Sequence, residues 1–149
     1  FGNVMTRWGE YADDAALLAE YSEQLRIFSE ILQADGGLYV HSDNWFGVDP
    51  DIYWGRGNGW VSAAGFDYLR ARTVRGETDA VAAEAMRRQV AGIVDTQDPS
   101  GLWWIVLNRP GESYLETSTA ALFAYGVARG FRYGLEVKRW LLDHEAAGA

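Results

Sequence analysis

A short pattern occurs twice in this chain: a Gln, then four residues later a Gly followed by Leu and an aromatic. Gln33 precedes Gly37-Leu38-Tyr39, and Gln97, 64 residues further on, precedes Gly101-Leu102-Trp103. Each copy follows a helical stretch and leads into a small or polar helix start, Gly57-Asn58-Gly59 in one case and Thr117-Ser118-Thr119 in the other. Such a repeat is one helical hairpin with a long aromatic loop, and hairpins of this kind bury their apolar faces by stacking. A ring of hairpins with the loops at one end is an α/α toroid. Six hairpins need roughly 350–400 residues, and this chain holds about two and a half. The predicted fold is therefore all-α: a partial (α/α)6 toroid, with residues 1–149 forming one incomplete domain. Its flanks are expected to expose apolar surface that a closed ring would cover, so self-association through the ring edges is expected.

The helices follow from apolar spacing. Leu17, Leu18, Tyr21, Leu25, Phe28 and Leu32 share one face, with Asp13 or Asp14 as N-cap and Gly36-Gly37 as the stop. A second helix is predicted from near Asn58 to before Gly76, carrying Val61, Ala64 and Leu69 inward. A third spans about Thr78 to Thr96 with Ala82, Met86, Val90 and Ile93 on one face. A fourth runs from near Glu116 to Gly130, a weaker fifth from about Glu136 to Glu145, and Phe1 to Tyr11 reads as the end of another.

Charge and composition exclude several classes. The net charge of −8, with no Lys/Arg cluster, argues against a nucleic-acid partner. No apolar run is long enough for a membrane span, so no membrane partner is expected. The start, Phe1-Gly2-Asn3-Val4-Met5, has neither a basic leader nor a long apolar stretch. There is no Cys for disulfides or thiolate metal sites. Seven Trp, eight Tyr and six Phe are enough aromatics to build a core or to line a pocket for sugars, whose C–H faces stack on indole rings.

The sharpest motif is Trp54-Gly55-Arg56-Gly57-Asn58-Gly59-Trp60. Alternating glycines allow positive φ and close approach of a ligand to the backbone. Arg56 offers a planar fork suited to a carboxylate, and Trp54 and Trp60 bracket it as stacking surfaces. The following helix would point its N-terminal amides at the same place. The spacing does not match a dinucleotide turn, and the Gly-Lys-Ser/Thr end of a phosphate loop is missing; a purely structural turn with two core tryptophans is the competing reading. In Tyr114-Leu115-Glu116-Thr117-Ser118-Thr119, Glu116 is either a capping acid, or its carboxylate or the Ser118 and Thr119 hydroxyls face the pocket mouth. His41, in the loop Gly37-Leu38-Tyr39-Val40-His41-Ser42, is available for proton work or hydrogen bonding. His144 reads as a surface residue. Asp43, Asn44, Asp49 and Asp51 do not match a calcium loop, and no metal is expected.

Taken together, Gly-Leu-Tyr-x-His at 37–41, the motif at 54–60, Gln97-Asp98 with Gly101-Leu102-Trp103, and Tyr-Leu-Glu-Thr-Ser at 114–118 resemble the unsaturated rhamnogalacturonyl hydrolases of glycoside hydrolase family 105. The unsaturated glucuronyl hydrolases of family 88 share the Trp-Gly-Arg-Gly signature. The resemblance runs from about residue 1 to residue 131. It implies an (α/α)6 barrel with its pocket at one end, and no cofactor. It also implies removal of a Δ4,5-unsaturated uronyl residue from pectin- or rhamnogalacturonan-derived oligosaccharides by hydration of the double bond. The partner it implies is an unsaturated uronyl oligosaccharide. By resemblance, His41, Trp54, Arg56 and Trp60 line the uronyl subsite, with Asn58, Glu116 and Ser118 at the pocket mouth; Arg56 facing the uronate carboxylate follows from charge complementarity. Phe1 to Met5 resembles the stretch just after the family's acid/base Asp, which places that Asp immediately before residue 1. Asp13 and Asp14 fall too late to replace it. No catalytic proton donor is therefore expected within this chain, and the fragment alone is expected to be inactive. The alternative is a non-catalytic sugar-binding or interaction module on the same scaffold.

Overall fold

The computed structural model describes residues 1–43, 46–47 and 51–132, together with residues 139, 142, 143 and 146. Five helices are named among them: α1 Gly2–Tyr11, α2 Ala15–Leu32, α3 Gly55–Val74, α4 Ala80–Asp95 and α5 Thr117–Arg132. Apart from three isolated β-bridges, the described residues contain no strand. No described helix is long and apolar enough to cross a membrane. The predicted helix at 136–145 lies largely outside the described residues, as do His144, Asn44 and Asp49.

Side-chain contacts fix the helix directions. Arg7 reaches Asp67, Glu10 pairs with Arg70, and Asp13 pairs with Arg75 at 2.7 Å, so α1 and α3 run parallel. Gly55 lies against Thr119, Gly59 against Leu122 and Ser62 against Gly126, and Asp67 accepts from Tyr125 and Arg129, so α5 runs parallel to α3. Gln33 reaches the Ala85 carbonyl and Ser22 reaches Asp79, so α2 and α4 form a second parallel row. The hairpins α1–α2 and α3–α4, followed by α5, form an inner row of three and an outer row of two. This is an arc of an α/α toroid.

Between the rows lies the core: Leu18, Tyr21 and Leu25 of α2, Phe66, Tyr68 and Leu69 of α3, and Met86 and Val90 of α4. A second cluster under the loops joins Leu38, Ile93, Trp103, Leu107 and Phe123. The inward faces of α2 and α4 follow the predicted spacing, except that Phe28 is 46% exposed. On α1, Phe1, Val4, Trp8 and Tyr11 form an exposed apolar stripe at helical spacing along one flank of the arc.

Two boundaries differ from expectation. Helix α2 stops at Leu32 with Gln33 already extended, so Gly36-Gly37 builds a later turn. Helix α3 starts at Gly55 and takes the glycines of the Trp-Gly-Arg motif into its first turns. The repeat appears as one turn built twice. Gln33 Nε2 donates to the Gly37 carbonyl at 2.9 Å, and Gln97 Nε2 to the Gly101 carbonyl at 3.0 Å. Gly37 and Gly101 adopt φ of 85° and 83°, the left-handed conformation that favours glycine.

Both outer helices are capped by Asp. Asp14 accepts from Ala16 N–H at 2.9 Å, and Asp79 from Ala82 N–H at 3.0 Å. Asp79 also accepts from Ser22 Oγ at 2.5 Å and from the buried Tyr68 hydroxyl at 2.7 Å, tying α2, α3 and α4 together. Burial alone would raise the Asp79 carboxyl, but bonds from Ala82, Ser22 and Tyr68 and the charge of Arg72 outweigh it and hold the group below its ordinary 3.8. A depressed carboxyl stabilises the fold above its unfolded-state pKa, and that stability is lost as pH falls through the folded value. Asp79→Asn should therefore cost about 1–2 kcal/mol at pH 6. It should also weaken the loss of stability on acidification below about pH 4. Urea unfolding of both proteins at pH 6 and pH 3 checks this; equal acid sensitivity would count against it.

Candidate functional site

The long loops that follow α2 and α4 enter the N-terminal ends of α3 and α5, and they are laced together. His41 N–H bonds the Ile52 carbonyl at 2.7 Å, and Ile105 N–H bonds the Tyr114 carbonyl at 3.1 Å, so each loop closes on itself. Gly55 N–H then donates to the Ile105 carbonyl at 2.8 Å and Leu107 N–H to the Tyr53 carbonyl at 2.9 Å. Trp54 bridges Val106. This lacing sets the start of α3 beside the start of α5.

Four residues from three distant stretches meet there. Arg56 Nη1 lies 3.2 Å from Glu116 Oε1. Its guanidinium carbon stands 5.2 Å from the centroid of the Trp54 ring, a cation–π distance. The His41 ring meets Trp54 edge-on, with centroids 5.3 Å apart and planes at 89°. Glu116 is only 7% exposed. It accepts from Ser118 Oγ at Oε1 and from Thr119 Oγ1 at Oε2, both at 2.8 Å. The Arg56 side chain is 43% exposed, whereas its Nε is buried without a hydrogen-bond partner in the protein. The result is an open cation seated on an aromatic face and backed by a closed acid. Such a cation can take an anion from the solvent side.

Other expected site residues lie elsewhere. Asn58 is 1% exposed and does not reach the mouth. Its Oδ1 accepts from Tyr39 N–H at 2.8 Å, while Nδ2 donates to the Tyr39 and Trp54 carbonyls. It braces the first loop to α3. Trp60, one turn beyond Arg56 on α3, has a different set of neighbours. It is 57% exposed and lines an apolar groove of about 370 Å³ with Phe1, Val4, Tyr21, Gln24 and Phe28. Arg56 is not among the residues lining that groove, and the ring it stands on is that of Trp54. Ser118 is exposed and its hydroxyl is turned toward Glu116.

The glycines of the motif also differ from the expectation of a ligand-hugging turn. None of the three has positive φ. A Cβ at Gly55 would fall 2.7 Å from Thr119 Oγ1, and one at Gly59 would fall 2.7 Å from the Leu122 Cβ. They admit α5, not a ligand. Gln89 was not foreseen: it is fully buried and donates to the Asn58 carbonyl at 3.0 Å. Its only signal is a polar residue beside the apolar face of α4. Among the described residues, no group of three or more His, Cys, Asp or Glu could hold a metal ion.

Residues 2–146 match the model of Glycosyl Hydrolase Family 88. Protein Atu3128 of Agrobacterium fabrum is 37% identical over 143 residues, covering 85% of this chain and 60% of that protein. The unsaturated rhamnogalacturonyl hydrolase YesR of Bacillus subtilis is 39% identical over 70 residues, which are 47% of this chain and 20% of YesR. A crystal structure from Salmonella enterica, described as a possible member of the GH105 family, superposes with a TM-score of 0.76 at 27% identity. That match covers 94% of this chain and 37% of the other. The chain thus spans 60% of the length of its curated relative from Agrobacterium.

Proposed function

We infer the function from one premise: the chain belongs to Glycosyl Hydrolase Family 88. The whole protein is then a glycosidase acting on carbohydrate, and the substrate is narrowed by the cluster around Arg56. We read that cluster as the carboxylate end of a subsite for a Δ4,5-unsaturated uronyl residue, in oligosaccharides derived from pectin or rhamnogalacturonan. The observation that carries this reading is the half-exposed Arg56 guanidinium, held on Trp54 with His41 alongside. A sugar carrying a planar carboxylate matches a planar fork, and a neutral sugar does not. The relative YesR, an unsaturated rhamnogalacturonyl hydrolase, supports the same reading.

In the whole protein the proposed reaction adds a proton and a hydroxide across the C=C bond. The hemiketal so formed opens, and the bond to the neighbouring sugar is released. The residues described here bind and orient the uronyl group. Glu116 is poorly placed to donate the proton, because Arg56, Ser118 and Thr119 already engage both of its oxygens. The proton donor of the whole protein is therefore sought outside this cluster. This chain alone is expected to bind the uronyl sugar without consuming its double bond, as a binding module would.

Calorimetric titration with a Δ4,5-unsaturated uronyl disaccharide and with its methyl ester tests the reading. The free acid should bind about tenfold or more tighter than the ester, the worth of one charge-assisted contact. Equal affinity for acid and ester would rule out the carboxylate subsite. Ultraviolet absorbance of the C=C bond should stay constant with this chain and decay with a full-length protein containing it.

A further inference from the structure

We propose that Glu116 is a positioning residue. Its carboxylate, clamped by the Ser118 and Thr119 hydroxyls, fixes the Arg56 guanidinium over Trp54 so that the free edge of the fork meets the ligand carboxylate. This rests on the reading of Arg56 as the carboxylate contact, and it assigns Glu116 a role distinct from touching sugar at the pocket mouth.

Burial comes first. A carboxylate that is 7% exposed is costly unless it is paired and hydrogen-bonded. Glu116 has both forms of compensation: Oε1 takes Ser118 Oγ and Arg56 Nη1, and Oε2 takes Thr119 Oγ1. Two hydroxyls on two oxygens fix the plane of the carboxylate. A guanidinium bonded at one end to a fixed carboxylate, with a ring 5.2 Å away, has little freedom left to turn. The order lost on binding a second carboxylate is therefore small, which is what preorganisation contributes to affinity.

The support continues one step further. Thr119 is fully buried, and its hydroxyl oxygen occupies space that a Cβ at Gly55 would enter at 2.7 Å. Gly55 thus makes room for Thr119, Thr119 orients Glu116, and Glu116 orients Arg56, the residue next to Gly55. The chain of supports between α3 and the start of α5 thus closes on itself. This explains why a Gly directly precedes the Arg, at a position where the backbone is helical and does not itself require glycine.

The test uses this chain, the unsaturated uronyl disaccharide and its methyl ester. Glu116→Gln keeps the size of the side chain and removes its charge. It should weaken binding of the acid about tenfold and leave the ester within about twofold. In an Arg56→Ala background the same substitution should have almost no further effect, because Glu116 acts through Arg56. Equal losses for acid and ester, or additive losses in the double variant, would overturn the proposal. Thr119→Val, which keeps the acid and removes one hydroxyl support, carries the same test should Glu116→Gln fail to fold. A ligand-free arm separates this proposal from the uronyl reading. In nitrogen-15 spectra, rotation about the Arg56 guanidinium should be slow in the wild type and fast in Glu116→Gln. If the wild type binds neither ligand, the uronyl reading fails while this arm still decides the role of Glu116; unchanged rotation would overturn that role.

Discussion

Gly37→Ala is expected to cost at least ~3 kcal/mol of folding stability, while Gly101→Ala costs about 1–2 kcal/mol. The two glycines occupy equivalent places in the duplicated turn, with φ of 85° and 83°. Each alanine therefore carries the same left-handed backbone penalty, about 1–2 kcal/mol. Their surroundings separate them. A Cβ at Gly37 would lie 1.9 Å from the Arg88 carbonyl oxygen and 2.5 Å from its carbon, and backbone atoms within α4 cannot yield without breaking the helix. At Gly101 a Cβ meets nothing within 4 Å. The pair is an internal control, because the difference between them isolates the clash from the strain. Urea midpoints of the two variants give the answer. Equal losses would mean that the first loop does not sit against α4 as described.

Arg56→Ala is expected to lower affinity for the unsaturated uronyl acid by about 10–100-fold, the range set by a charge-assisted hydrogen bond. The melting transition should fall modestly, because the buried Glu116 carboxylate loses its cation but keeps the Ser118 and Thr119 hydroxyls, and the exposed Arg side of the pair is screened by solvent. Arg56→Lys should recover only part of the affinity. An ammonium is a point charge; it cannot lie flat on Trp54, reach Glu116 and present a second planar edge at once. Calorimetry on the three proteins, with unfolding curves alongside, distinguishes a lost contact from a lost fold. If Lys restores full affinity, charge alone governs the site and the planar geometry is irrelevant. If Ala binds as well as Arg, the ligand sits elsewhere.

Much of this arrangement was legible in the linear chain. The spacing of Leu18, Tyr21 and Leu25, and of Ala82, Met86, Val90 and Ile93, identifies the inward faces of α2 and α4 because burial selects apolar side chains at helical period. The doubled Gln–Gly–Leu–aromatic pattern reports the doubled turn, since an amide four residues before a left-handed glycine has one obvious acceptor. His41, Trp54, Arg56 and Glu116 were singled out from separate stretches, and the loops bring them together. The glycines were not legible in the same way. Gly is a poor helix former, so Gly55, Gly57 and Gly59 signal a turn locally; only the arrival of α5 against Gly55 and Gly59 reveals why helix was kept and side chains were dropped. Asn58 failed for a related reason. A polar residue among glycines suggests a surface, whereas its four-residue reach to Trp54 and its two bonds to Tyr39 exist only once the first loop is folded.

The glycines between α3 and α5 also have a geometric consequence for the assembly as a whole. Gly55 and Gly59 on one helix and Gly126 on the other strip side chains from the inner seam; a Cβ at Gly126 would fall 2.4 Å from Ser62 Oγ. At the neighbouring joint, the outer seam between α2 and α4 is spanned by side chains such as Gln33, which reaches the Ala85 carbonyl, and its contact is less extensive than that of α1 with α3 on the inside. Two neighbouring hairpins are thus narrow on the inside and broad on the outside, the shape of a voussoir in an arch. Laid side by side, such blocks turn through a fixed angle at each joint, and that angle sets the radius of the curve and the number of blocks that complete it. The thickness of one inner seam, set by a hydrogen atom where a methyl group would otherwise stand, is in this sense a dimension of the whole ring.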